Sequence, residues 1–435
     1  MRTLFKKCIV YVLTLEARLV VRKYKPHIVA VTGSVGKTST KDAIYSVLAE
    51  NAHVRKSDKS FNSEVGLPLT ILGCPNAWSN PLRWLQNIVD GLILIIFKTT
   101  YPEWLVLEVG ADRPGDISSL AAWLPVDIAV ITRLPEVPVH VEFFDSADAV
   151  VAEKASLINA LKKDGTLVVY ADDNRRDILV QKAQARGVRI VTFGLLDTAD
   201  VYASGFSVVR EEGGNNWPIG MESHITAGGI SAPVSTLGIL GSHMVLPLVA
   251  AAAVGSAVGK TLPEIAEALS HYAPPHGRMR LLPGIKDTRI IDDTYNSSPA
   301  AVVAALDALK LIAPRGRVIA VFADMLELGR HSVEEHRKIG AYAAGIVDIL
   351  VTVGFRARDA ASGALDAGLA DGNIFQYEDA DKAGEELAAM LAPGDIVLVK
   401  GSQSMRMEKT VEHLMLNPER AGELLVRQEL NWKNR

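Results

Sequence analysis

The segment VAVTGSVGKTST (29–40) constrains this chain more than any other. HIVAVT at 27–32 is an apolar run that reads as a buried strand, and a glycine-containing turn then opens a helix. Backbone N–H groups of such a turn converge on an anion, and the helix dipole favours the same charge. Lys37 adds a point charge for the β- and γ-phosphates of a nucleotide, and the Thr38 hydroxyl can ligate Mg2+. The phosphate cradle is therefore expected at Gly33, Ser34, Gly36, Lys37, Thr38 and Ser39. The spacing is shorter than the general G-x-x-x-x-G-K-[ST], because Val31 stands where the first glycine would be. A turn with no ligand is the alternative. The order strand, loop, helix favours the nucleotide.

Downstream, short apolar runs alternate with helical stretches, as in α/β folds. WLVLEVG (104–110), DIAVITR (127–133), GTLVVYA (165–171) and RIVTFG (189–194) read as strands. Residues 200–237 carry turn clusters and strand-like alternation, which suggests an antiparallel insertion. Residues 243–258 are alanine-rich and helical. PPHG at 274–277 punctuates the chain, and RIIDDT, RVIAVFAD, DILVTVG and GDIVLVKGS then give a second α/β pattern. The expected organisation is an N-terminal helix over 1–26, a nucleotide-binding domain over 27–274 and a second domain over 275–435.

Composition excludes several classes. With 49% hydrophobic and 22% charged residues, the chain is neither disordered nor collagen-like. Its net charge of −4 lacks the basic excess of a nucleic-acid binder. Two cysteines, Cys8 and Cys74, form no disulfide framework and fit a reducing cytoplasm. Residues 1–25 depart from this average. They hold seven basic groups (Arg2, Lys6, Lys7, Arg18, Arg22, Lys23, Lys25) against one acid, Glu16. The apolar stretch between them is too short for the roughly 20 residues that span a bilayer. Two readings stay open: a basic amphipathic helix on the anionic inner face of a membrane, or a helix packed on the next domain with its charges in water. GLILIIF (91–97), shorter still, is expected in the core or against that first helix.

TGSVGKTST, followed by SFNSEVGLPLTIL (60–72), resembles the ATP-dependent Mur ligases, most closely the MurF branch. The resemblance runs from residue 27 to about 415. It implies a P-loop central domain with a mostly parallel sheet and a Rossmann-like α/β C-terminal domain. By the family pattern, Glu108 in LEVGADRPGDI is a Mg2+ ligand, as are Thr38 and His140. Lys154, fourteen positions after His140, matches a lysine that carries a carbamate and holds a second Mg2+. Asn62, in a Ser-Phe-Asn-Ser stretch that replaces N-x-N-N, matches an amide near the γ-phosphate. Met244 and Pro247 stand where two asparagines usually contact adenine. In the second half, Arg278 is expected to reach the phosphates, with Asp293 and Asn296 at the ribose. VFADMLELGRHSVEEH and VLVKGSQSMRMEKTV place Asp324, Lys400 and Ser402 at the incoming amine.

The implied activity is ATP-dependent amide formation through an acyl phosphate. The partners are a small-molecule or lipid-linked cell-wall precursor and an amino acid or dipeptide. Family members carry an N-terminal domain that holds the UDP-sugar, whereas only residues 1–31 precede the strand end here. The expectation is that this domain is absent and that the basic helix, or a partner subunit, serves in its place. A ligase for another carboxylate, or a nucleotide-binding subunit of a two-protein enzyme, are the alternatives.

Overall fold

A computed structural model describes residues 2–58, 64–78, 80–212, 216–312, 315–429 and 432. Two sheets carry the chain. The first has nine strands: β1 (His27–Thr32), β2 (Val54–Lys56), β3 (Trp104–Glu108), β4 (Val126–Ile131), β5 (Leu161–Tyr170), β6 (Arg189–Gly194), β7 (Val201–Arg210), β8 (Pro218–Ala227) and β9 (Ile230–Leu237). Their order is β2-β3-β1-β4-β5-β6-β7-β8-β9. Pairing is parallel from β2 through to β7, and β7–β8–β9 is antiparallel, as the alternation over 200–237 suggested. The strand direction thus changes where turn-rich sequence replaces the continuous apolar runs of strands buried on both faces.

The second sheet has six strands: β10 (Arg280–Gly284), β11 (Thr288–Asp293), β12 (Val318–Ala323), β13 (Ile349–Val353), β14 (Ile374–Tyr377) and β15 (Ile396–Lys400). Their order is β10-β11-β15-β12-β13-β14, parallel except for the β10–β11 pair. Both sheets are covered by helices, which gives the mixed α/β class expected.

Six helices of the first half matter for function: α1 (Arg2–Tyr24), α2 (Lys37–Ala49), α3 (Gly66–Leu72), α4 (Pro81–Ile96), α5 (Asp116–Ala121) and α6 (Ala147–Ala155). One face of the central sheet packs on α2 and on the alanine-rich helix Leu246–Ala257, whose small side chains let it lie close to α2. The other face packs on α1, α3 and α6. Strand β1 lies between β3 and β4, so the chain crosses to opposite sides of β1. The loop after β1 therefore opens into the crevice at the carboxyl ends of the strands, where α/β sheets bind ligands.

The N-terminal helix packs on the central domain. Ile9, Leu13, Ala17, Val20 and Val21 enter the core beneath it. The sequence had placed 91–97 in the core or against the first helix. In fact α4 lies against α1, with Gly91 over Glu16. Glu16 is 4% exposed, and neither carboxyl oxygen has a hydrogen-bond partner among the described residues. Burial pushes it up to about 7. An unfolded glutamate titrates near about 4.3. Between those values the folded chain holds a proton that the unfolded chain has lost, so stability falls as pH rises through that window. Glu16→Gln is expected to raise the melting temperature at pH 8 and to leave it little changed at pH 4.5. An equal shift at both pH values would mean that Glu16 is not held neutral.

Candidate functional site

The loop after β1 is built on two glycines at positive φ, Gly33 (+142°) and Gly36 (+85°). A Cβ on Gly33 would lie 1.9 Å from Thr132 Oγ1. Thr132, just past β4, sits this close because its hydroxyl donates into the loop. It lies 2.8 Å from the Val35 carbonyl oxygen and 3.2 Å from that of Thr32. The Ser34 N–H donates to the Arg133 carbonyl at 3.0 Å, so the loop is tied to the neighbouring strand end. At the start of α2 no side chain caps the helix, which leaves its first N–H groups open to an anion. Thr38 and Ser39 are buried in that first turn, and the Ser34 hydroxyl is buried with no partner among the described residues. These are the features that a phosphate cradle requires.

Two amines meet under this loop. Lys37 Nζ donates to the Gly33 carbonyl at 3.0 Å, and Lys154 Nζ, from α6, donates to the same oxygen at 2.9 Å. Burial lowers the pKa of Lys37, opposed by the nearby Glu108 carboxylate. Burial, with the charge of Lys37, brings Lys154 well below the usual lysine range. Glu108 ends β3 opposite Val31 of β1, and its N–H donates to Ser57 Oγ at 3.1 Å. Ser57 in turn belongs to the segment whose carbonyl accepts from the buried Lys41 ammonium at 2.8 Å.

His140 has other partners. Its Nδ1 lies 2.6 Å from Glu327 Oε2, and its Nε2 lies 3.6 Å from Asp112 Oδ1. Glu327 follows β12, so this contact joins the two halves of the molecule. The close approach of His140 holds Glu327 below the usual carboxylate range. Both residues sit at positive φ (+70° and +63°), a strained arrangement for side-chain-bearing residues that recurs at ligand clamps. The family pattern gives His140 as a metal ligand and Lys154, through a carbamate, as the holder of a second Mg2+. The structure gives them separate partners, and Asp112 is the group whose charge reaches both.

In the second half, Asp293 ends β11 and Lys400 ends β15, in direct register. Lys400 Nζ lies 2.5 Å from Asp293 Oδ2 and donates to the Asn296 carbonyl at 3.0 Å. Asp293 Oδ1 accepts from the Met279 N–H at 3.2 Å. The fold joins Asp293 and Asn296, expected at the ribose, with Lys400, expected at the amine, in one cluster. Asp324 and Ser402, expected at the incoming amine, accept from backbone groups of neighbouring loops. Asp324 Oδ1 accepts from the Ala357 N–H (2.8 Å), and Ser402 Oγ accepts from the Leu326 N–H (2.9 Å). Their loops are buried, and backbone donors there must be satisfied. Arg278 stacks on the Tyr295 ring at 4.2 Å, and its charge reaches both Lys37 and Lys400. Asn62 lies outside the described residues.

Two contributors went unread in the sequence. Thr132 could have been found as a hydroxyl closing the apolar run DIAVIT. Arg427 carried no local signal. Its buried guanidinium binds Glu408 Oε2 at 2.6 Å and the carbonyls of Thr294 (2.6 Å) and Tyr295 (3.1 Å). It thereby fixes the loop that carries Asn296. A cavity of about 810 Å³ lies between Thr38 and Lys41 on one side and Tyr295, Gln403, Arg427 and Trp432 on the other.

Among the described residues, no three His, Cys, Asp or Glu side chains come close enough to cage a metal. Gly33→Ala would place a methyl group on the Thr132 hydroxyl and force an alanine to φ +142°. It is expected to weaken nucleotide binding at least tenfold in a fluorescent-ADP titration. Unchanged affinity would mean that the loop tolerates displacement from β4.

Comparison with known proteins bears on these sites. The "Mur ligase middle domain" profile matches residues 31–81 and 89–255, and the "Mur ligase, glutamate ligase domain" profile matches 277–403. The chain is 30% identical over 403 residues to the UDP-N-acetylmuramoyl-tripeptide–D-alanyl-D-alanine ligase of Bacillus subtilis (strain 168), covering 92% of this chain and 79% of that one. It is 31% identical over 399 residues to the ligase of the same name from Mycobacterium leprae (strain TN), covering 87% and 71%. Among solved structures, the MurF ligase from Thermotoga maritima in complex with ADP superposes with a TM-score of 0.74 at 27% identity, covering 93% of this chain and 83% of that one. MurF from Acinetobacter baumannii, at 23% identity and a TM-score of 0.76 over 93% and 79%, shares the fold. The two profile matches together span most of the chain, and it belongs to the Mur ligase family of ATP-dependent amide-forming ligases, where it is similar to MurF.

Proposed function

We propose that this ligase joins D-alanyl-D-alanine, or a similar amine, to the terminal carboxylate of a cell-wall precursor. The observation that carries the reading is the convergence of Lys37 and Lys154 on the Gly33 carbonyl, beneath a loop whose N–H groups face an anion. An acceptor carboxylate oxygen attacks the γ-phosphorus of ATP, the bond to the β-phosphate oxygen breaks, and ADP leaves. The amine nitrogen then attacks the carbonyl carbon of the acyl phosphate, phosphate departs, and the amine gives up a proton. Both steps bring anions or electron-rich groups together, so catalysis rests on charge and alignment. Lys37 offsets charge at the transferring phosphoryl group. Arg278 reaches the same region from the second half.

Thr38, Glu108 and His140 are the residues that would hold Mg2+, and the ion would supply charge neutralisation at the phosphates. Lys154 favours carbamylation, because only a neutral amine adds CO2 and burial beside Lys37 favours the neutral form. As a carbamate it would face Lys37 with opposite charge and offer oxygen ligands. The His140–Glu327 contact ties the halves together, and closing them would keep water from the acyl phosphate. The acceptor is read as a UDP-linked or lipid-linked muropeptide in the cytoplasm, and α1 as a contact with the inner face of the membrane.

The test is turnover of MgATP with UDP-N-acetylmuramoyl-tripeptide and D-alanyl-D-alanine, with ADP release and product mass both recorded. A dipeptide-sized gain on the acceptor is expected. No gain, with ADP binding intact, would reject this acceptor–amine pair. Lys154→Met is expected to lower turnover at least a hundredfold while nucleotide affinity changes less than tenfold. Full activity of that variant would remove Lys154 from the chemistry.

A further inference from the structure

Helices α1 and α4 form one unit at the edge of the central domain. A Cβ on Gly91 of α4 would come within 2.4 Å of Glu16 Oε2 of α1, so the two backbones approach closely there. Lys23 Nζ of α1 donates to the carbonyls of Leu94 (2.8 Å) and Ile95 (3.0 Å), satisfying acceptors at the open end of α4. The Tyr24 hydroxyl adds a bond to the Leu94 carbonyl at 3.0 Å. The inner surfaces of the pair are buried, but the outer ones are not polar. On α4, Leu82, Leu85, Val89, Leu92, Ile93 and Ile96 recur every three or four residues, and each is between 42% and 76% exposed. They form an apolar stripe of the kind a helix normally turns toward a core. On α1, Tyr11, Leu15 and Leu19 make a second exposed row at four-residue spacing. Single exposed apolar residues are ordinary, but two rows on adjoining helices mark a contact surface.

The surrounding charge selects the occupant. Arg18 and Arg22 of α1, Lys25 just past it and Lys98 just past α4 are exposed. The one acid of α1, Glu16, is buried between the helices, and α4 adds Arg83 and one acid, Asp90, both half-buried. Cations therefore outnumber acids on these two helices and their ends, in a chain whose net charge is −4. A second copy would bring the same cations against this face. An anionic lipid surface complements it, with apolar rows entering the acyl boundary and long basic side chains reaching the headgroups. No helix among the described residues is long and apolar enough to cross a membrane.

We infer that the joint outer face of α1 and α4 seats the protein on an anionic bilayer, with α4 contributing the larger apolar area. This extends the membrane contact read above from α1 alone to a two-helix face. On a helical wheel, the row Tyr11, Leu15, Leu19 lies between the side of α1 turned to α4 and the side carrying Val10, Thr14 and Arg18. Those three line a cavity of about 700 Å³ with Asp112, Arg113 and Trp123. Seated on the bilayer, α1 would bring the mouth of that cavity, and the His140 region beyond Asp112, close to the headgroups.

The full chain can be sedimented with vesicles of phosphatidylcholine, with and without phosphatidylglycerol. Binding is expected to the anionic vesicles and to weaken with salt. Leu85→Glu with Ile93→Glu is expected to lower partitioning at least tenfold without lowering the melting temperature, since both side chains are exposed. Arg22→Gln with Lys25→Gln is expected to lower it roughly fivefold per charge on anionic vesicles only. Absence of vesicle binding, or binding untouched by the α4 pair, would overturn the proposal. So would a wild-type dimer in sedimentation velocity that the α4 pair returns to monomer, because a second copy would then cover the face. Turnover of a soluble acceptor, measured separately, distinguishes this result from failure of the ligase reading.

Discussion

The loop after β1 holds its shape because Thr132 reaches into it from the next strand while Gly33 leaves room for that hydroxyl. Two lysines then lean on the carbonyl that this conformation exposes. Burial of two amines so close disfavours both being charged at once. In the proposed reaction, a triphosphate above the loop or a carbamate on Lys154 would bring negative charge to this point. The rest of the structure serves this point: β3 brings Glu108 beside the loop, and Arg278 approaches from the second half.

The two halves meet through a shared apolar cluster, in which Trp217, Met221 and Met244 pack with Ile291 and Leu306, and through specific polar groups. His140 and Glu327 touch across the cleft, each held at a backbone conformation that costs energy. Behind Glu327, Asp324 and Ser402 hold their own loops together, and Asp293 with Lys400 ties β11 to β15. These contacts fix the wall of the cleft. Arg427 adds to them by gripping the loop after β11 from the far end of the chain.

Legibility followed locality. The strand, turn and helix around Lys37 were readable because each depends on neighbours within a few residues. The antiparallel character of 200–237 was readable for the same reason, through turn residues and alternation. The shared target of Lys37 and Lys154 was not, because the partner oxygen lies 121 residues from Lys154. Asp293 and Lys400 were each picked out by a motif, but their mutual contact depends on the register of β11 against β15. The run at 91–97 shows the limit from the other side. Its hydrophobicity was plain, but which way that hydrophobicity faces depends on how α4 sits against α1.

What the sequence determined by itself is the chemistry available: a phosphate-binding turn, an acid at a strand end, buried amines, a cationic N-terminal helix and the α/β alternation that carries them. Tertiary structure decided which of these groups meet, which are taken up in holding loops, and which apolar surface stays outside. Residue type and short-range periodicity are properties of a few neighbouring positions. Contacts across a hundred residues depend instead on strand order, register and the packing of whole helices.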